Sequence, residues 1–208
     1  MNDTPVTGVA GRPLSSRGAK TRRRLLEAAE SVFADLGYHN ASIVKITEAA
    51  GAGQGTFYLY FASKKEVFDE LVLDLNHRVR QAMTEASSAG ETRAERELLG
   101  FTAFFRFTAE HPALYRIIRQ AEFVSPEMLH RHYERLTDGY VAGLRQAMDD
   151  REIATGDPEV LAWALMGIGE LVGMRWILWA EEQDLPPEVA EELAAIIRRA
   201  IGAPEDGR

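Results

Sequence analysis

Between roughly residues 42 and 61 the chain sets hydrogen-bonding tips beside rings: Gln54, Thr56, Tyr58 and Tyr60 alternate with Phe57 and Phe61. A glutamine amide matches the paired donor and acceptor on the major-groove edge of adenine, and threonine and tyrosine hydroxyls reach phosphate oxygens. This chemistry is recognition, not bond-making. Nothing elsewhere supplies catalytic groups. His39, His77, His111, His130 and His132 show no metal-ligand spacing, and His130 and His132 point to different sides of a helix. The chain has no cysteine, which excludes disulfides, a thiolate nucleophile and a sulfur-based zinc site. Neither a glycine-rich phosphate loop nor a nucleophile elbow is present. No enzyme activity, cofactor or metal is expected.

These tips need rigid elements behind them. From Lys20, Leu25, Ala28, Ala29, Val32, Phe33 and Leu36 recur at helical steps, and Gly37 offers a left-handed stop. A second short helix follows Ser42 to about Ala50, with Ile43, Ile46 and Ala50 facing inward. Gly51-Ala52-Gly53 makes a tight turn that only small residues tolerate easily. A third helix is predicted from Gln54 to Phe61, anchored by Phe57 and Phe61, with Gly55 keeping its outer face low enough for backbone to approach base edges. Ser63-Lys64-Lys65-Glu66 reads as a capping box opening a fourth helix to about Ser87, with Val67, Phe68, Leu71, Val72, Leu75 and Val79 on one face.

The run Thr21 to Phe68, above all Ser42 to Glu66, resembles the N-terminal domain of the tetracycline-repressor (TetR) family. The family pattern of Gly, two variable residues, a polar residue, Gly-Thr, an aromatic, Tyr, any residue, Tyr-Phe, then Ser-Lys matches from Gly51 through Lys64. The resemblance implies that Ser42 caps the second helix and touches phosphate. It places Gln54, Gly55 and Thr56 at the groove, and Tyr58 and Lys64, helped by Tyr60, on the backbone. Two positions depart from the pattern. Gly53 stands where a serine or threonine hydroxyl is common, and Gln54 replaces a frequent lysine, exchanging charge for a group suited to adenine. Arg22, with Arg17, Lys20, Arg23 and Arg24, is read as following phosphates or entering a minor groove.

The net charge of −8 divides unevenly. Residues 1–65 carry nine Lys/Arg against five Asp/Glu, a net of +4, and the remainder carries fifteen against twenty-seven, a net of −12. A basic head on an acidic body suits a chain in which one end meets phosphate. Residues 1–19, rich in Gly, Pro, Ser and Thr, read as a mobile arm. Residues 20–65 form the helix-turn-helix domain, and 66–204 a helical effector-binding and dimerisation domain. A helix from Glu91 to Glu110 and starts at Pro112, Ser125-Pro126, Asp157-Pro158 and Pro186-Pro187 bring the count to about nine helices in an all-α chain.

Rings crowd the second part. Phe101, Phe104, Phe105, Tyr115, Tyr133 and Trp163, with Met166 and Glu170, are the candidate ligand-binding set. The same residue types build a plain core, and composition does not separate the two. Arg106, Glu170 and Arg175 sit within apolar runs, where each requires an opposite charge or a ligand's polar group; an ion pair is the favoured reading. Val160 to Ala180 is long and apolar, but Glu170 and Arg175 argue for a buried helix and against a membrane span. Gly167, Gly169 and Gly173 allow close helix approach. The resemblance implies that this helix and the last form a four-helix dimer interface with their symmetry mates, with Leu171, Leu178, Val189, Leu193, Ile196 and Ile197 as the seam. The expectation is a cytoplasmic homodimeric repressor on double-stranded palindromic operator DNA, released by an unidentified small apolar or aromatic effector, a fatty acyl compound among the candidates. The alternative is a helix-turn-helix protein acting through a protein partner.

Overall fold

A computed structural model describes Val9 and residues 13–203; Arg12 and most of the expected arm lie outside the described residues. The helices are α1 (Ser16–Asn40), α2 (Ile43–Ala49), α3 (Gln54–Phe57), α4 (Lys64–Ser87), α5 (Arg93–Glu110), α6 (Ala113–Val124), α7 (Pro126–Asp149), α8 (Pro158–Gly173) and α9 (Pro187–Ile201). A π-helical turn, Met174–Leu178, continues α8. There is no β-strand among the described residues, in line with the expected all-α class.

The boundaries follow from local chemistry. Ser15 caps α1 by accepting from the Gly18 amide, so the helix starts at Ser16, four residues ahead of Lys20, where no apolar period marks the start. Thr92 and Glu95 form a full capping box on α5, and Asp157 caps α8 with Pro158 in its first turn. Gly202, at φ 61°, ends α9 in the left-handed region. At α4 the Ser63 hydroxyl accepts from the Glu66 amide at 3.1 Å, while the Glu66 carboxylate takes the Ala62 amide one residue upstream of the expected partner.

The chain divides into two compact units, and α4 and α7 each contribute to both. The first unit gathers residues up to Asp74 with Ala113–His130. Its interior is ring-rich: Phe33 lies edge-on to Phe68 at 5.4 Å, and Leu25, Ile46, Phe57, Phe61, Leu71 and Ile117 are fully buried. Helix α6 packs along α1.

The second unit holds Leu75–Pro112 and the described residues from Arg131 onward. Phe101 and Phe105 of α5, Leu144 of α7, Ala162 and Leu165 of α8 and Ile197 of α9 share its core. Gly169 has a reason here: a Cβ would lie 3.0 Å from the Phe101 ring. The buried charge differs from the expected one. Arg106 is 63% exposed at its side chain and pairs with equally exposed Asp184 at 3.0 Å, because the helix turns it out of the apolar face. Arg175 is exposed beside Trp176. The interior pair is Arg93 with Glu97, and Glu97 also accepts from the Tyr140 hydroxyl at 2.5 Å. Burial and the neighbouring Glu97 carboxylate push the Tyr140 phenol well above its ordinary range.

His132 is buried against Asn76, whose amide donates to the His132 carbonyl at 2.9 Å and lies 3.1 Å from Nδ1. Burial holds this imidazole down at about 4. It therefore folds neutral, and its share of stability is whole above the unfolded value near 6.5 and lost as pH falls toward 4. Urea unfolding at pH 7 and at pH 4 should show a loss containing up to about 3 kcal/mol from this group. The His132→Gln variant should lose less over the same interval.

Candidate nucleic-acid interface

Ser42 begins the unit by capping α2, its hydroxyl accepting from the Lys45 amide at 3.2 Å. Ile46 and Ala50 are buried, as the pattern requires, and Thr47 spends its hydroxyl on the Val44 carbonyl at 2.9 Å. Gly51 turns the chain at φ 58°, a conformation that costs an L side chain about 1–2 kcal/mol. Gly53 then occupies the N-cap of α3 in an extended conformation with no side-chain cap.

The third helix is shorter than expected. Regular α-helix ends at Phe57, and Leu59 and Tyr60 then bond three residues back, to Thr56 and Phe57. A segment this short has almost no propensity to hold it, so tertiary anchors set its path. Phe57 and Phe61 are both fully buried with ring centroids 5.5 Å apart, while Gln54, Gly55 and Tyr58 are exposed and Thr56 and Tyr60 half-buried. Nothing lies within 4 Å of where a Cβ on Gly55 would sit, so its outer face is open. Val44 and Leu59, 41% and 64% exposed, border the same segments; as plain apolar residues they gave no sequence signal of a surface role.

Three basic residues are engaged inside the first unit. Arg22 makes a bidentate ion pair with Glu70 and stacks over the Phe61 ring at 4.9 Å, with its side chain only 19% exposed. That guanidinium fixes α1 to α4 beside the Phe61 ring, and the sequence offered no sign of a partner 48 residues away. Lys64 donates to the Tyr38 and Ala41 carbonyls at 2.7 and 2.9 Å, and desolvation lowers its pKa. A cation at the head of α4 is disfavoured by that helix's own dipole, and the carbonyls at the end of α1 supply the compensating negative charge. Its neighbour Lys65 bonds Asp69, Ser125 and Glu127 at 2.7, 2.9 and 2.8 Å. The bond from Lys65 is the main reason the Glu127 carboxyl sits at about 2.

The candidate ligand residues divide. Phe101, Phe104 and Phe105 lie together on α5, with Phe104 and Phe105 centroids 5.7 Å apart. Tyr133 packs against Trp163 with ring centroids 5.6 Å apart and donates to Glu170 at 3.1 Å. Met166 is half-buried on α8, and Tyr115, buried, belongs to the first unit while all the others belong to the second. Among the described residues no cluster of His, Asp or Glu could hold a metal ion.

The described fold and the exposed α2–turn–α3 surface define an all-helical protein with a helix-turn-helix module. Residues 25–71 match the profile of the bacterial regulatory proteins of the tetR family. Over these residues the chain is similar to the helix-turn-helix regulators of that family. It is 36% identical to the uncharacterized HTH-type transcriptional regulator YdgC of Bacillus subtilis over 118 residues, 55% of this chain and 59% of YdgC. The match therefore spans little more than half of that relative. Identity with the fatty acid metabolism regulator protein of Bacillus subtilis is 25% over 168 residues, 78% of this chain and 86% of the relative. The solved structure of FadR from Bacillus subtilis, in complex with stearoyl-CoA, shares the fold at a TM-score of 0.74 and 21% identity, covering 86% of this chain and 98% of that one.

Gly53 marks a correctable weakness. Its φ of −80° and ψ of 153° suit any residue, so Gly53→Ser should add a cap and raise stability by about 0.5–1 kcal/mol, read as a higher urea midpoint.

Proposed function

We propose that this chain is a cytoplasmic homodimeric repressor that reads a palindromic operator with the outer face of α3. The exposed Gln54–Gly55–Thr56–Tyr58 surface, carried on the buried Phe57 and Phe61, is the observation that supports this most directly. Gln54 contacts a base edge, Tyr58 and Tyr60 contact phosphate, and Ser42 adds a phosphate contact from the head of α2. Arg22, engaged with Glu70, serves the reading surface from beneath.

Dimerisation uses the face of α8 that its own chain leaves open. Val160, Trp163 and Leu171 are 66%, 46% and 62% exposed and recur at helical spacing, with Gly167 between them and open space where its Cβ would be. Ile196 of α9 is 39% exposed, whereas Leu193 and Ile197 are buried in their own core and leave the seam expected for them. Such a stripe matches helix-on-helix association between symmetry mates, and the dimer sets two recognition segments about one DNA turn apart.

The effector is a small apolar or aromatic molecule held in the second unit; the likeness to a fatty acid metabolism regulator protein favours an acyl compound. Its binding releases the operator by shifting the population of a DNA-competent form.

Selection from random-sequence duplex DNA tests the reading. An inverted repeat should emerge, and failure to enrich any duplex sinks the proposal. On that duplex Gln54→Ala should lose about 1–3 kcal/mol of discrimination at one base position per half-site, while Tyr58→Phe should weaken all sequences alike. Leu171→Glu should convert dimer to monomer in sedimentation equilibrium while leaving the helical circular dichroism intact. Long-chain acyl-CoA added to the operator complex should release the DNA; release by none of a series of acyl-CoA, free fatty acid and aromatic drug compounds removes the effector from the proposal.

A further inference from the structure

Helix α1 breaks at Gly37, whose φ of 74° and ψ of 160° interrupt the helical run and redirect residues 38–41 toward the cap of α2. The break strands backbone groups that a continuous helix would satisfy internally. Side chains from two other helices meet them. From α6, Gln120 accepts the Tyr38 amide with Oε1, and its Nε2 donates to the Phe33 carbonyl at 3.4 Å. That amide is oriented by a second bond from Nε2 to Arg116 O on its own helix at 2.7 Å, and Arg116 itself reaches the Ala34 carbonyl at 3.4 Å. From α4, the Lys64 ammonium takes the Tyr38 and Ala41 carbonyls and lies 4.3 Å above the Tyr38 ring. Tyr38 is in turn packed against Phe33 and Phe68, at 5.6 and 5.1 Å. One residue beyond Ala41, Ser42 caps α2.

We propose that Lys64 and Gln120 form a two-sided clasp on the break in α1 that sets the angle of α2 and, through it, of the recognition segment, and that Lys64 acts as a positioning residue and not as a phosphate ligand. The ammonium has three N–H donors, and two carbonyls and an aromatic face already surround it. Gln120 carries no charge, lies outside the helix-turn-helix and yet grips the same residue. A phosphate contact and a clasp make opposite predictions about salt. Loss of one phosphate contact lowers the slope of log K against log salt by about 0.9, whereas loss of a positioning contact lowers affinity at every salt concentration and leaves the slope alone.

The inference rests on the proposed reading of α2–α3 as the DNA-reading unit. Its test uses the full chain and a labelled duplex selected from random sequence by the unaltered protein, titrated by fluorescence anisotropy over a series of KCl concentrations. Lys64→Met, which keeps the alkyl stem over Tyr38, and Gln120→Leu should each weaken binding about tenfold with the slope unchanged. The double variant should fall well short of the product of the two losses, because both remove one clasp. Gln120→Glu, which keeps the acceptor for the Tyr38 amide but loses the donor to the Phe33 and Arg116 carbonyls, should recover part of the affinity. A slope that drops by about 0.9 for each Lys64→Met substitution in the complex, or losses that simply multiply, overturns the clasp. Hydrogen exchange read without DNA provides an independent arm. The Tyr38 amide should exchange faster in Gln120→Leu than in the unaltered chain and in Gln120→Glu, at unchanged circular dichroism. Equal Tyr38 exchange in all three overturns the clasp, whereas a protein that enriches no duplex but shows the exchange difference places the failure in the DNA-binding reading.

Discussion

Phe57 and Phe61 are the anchors on which the exposed surface of α3 depends. Only four residues of α3 are regular helix, far below the length at which helix propensity holds a segment in water. Its path is therefore set by two fully buried rings, each of which contributes several kcal/mol when truncation costs are the measure. Because those rings point inward, Gln54, Tyr58 and the low shoulder at Gly55 must point outward. The surface is a consequence of the packing beneath it.

The same logic extends to the charged groups of the first unit. Arg22 lies over Phe61 and is neutralised by Glu70, so its cation supports the anchor ring. Lys64 and Lys65, adjacent in sequence at the head of α4, grip different partners: the end of α1 in one case, and the start of α7 through Ser125 and Glu127 in the other. Two cations at a helix N-terminus are individually unfavourable, and each finds its compensation in another element. The basic character of the first 65 residues is thus partly structural, which moderates how much of its net +4 is available to phosphate.

The second unit combines a buried ion pair with an exposed helix face. Its buried pair of Arg93 and Glu97 is satisfied by Tyr140, and α8 carries a face of uncovered apolar side chains. By length and composition α8 with its π-helical turn meets the requirement for crossing a membrane, yet Ala162, Leu165, Gly169, Gly173 and Ile177 are buried against the chain itself. The exposed Val160, Trp163 and Leu171 are the part of that helix one copy of the chain leaves uncovered.

Helix number, the caps at Ser42 and Ser63, the break at Gly37 and the inward rings at 57 and 61 were all legible in the amino-acid sequence, because periodicity, glycine and capping chemistry act over a few residues. The length of α3 was not, since the chain continues past Phe57 in tighter turns that keep Phe61 buried and so preserve the same spacing pattern. Equally hidden were the partners of Arg22, Lys64 and Gln120, which lie 48, 26 and 82 residues away along the chain. Arg106 looked embedded among phenylalanines and proved exposed, while Glu97, unremarkable in sequence, carries the interior charge. Local rules decide where a helix begins and which way its apolar face turns. Which charge meets which backbone carbonyl is decided only when distant helices close on one another, because an ion pair or a clasp has no period for the sequence to display.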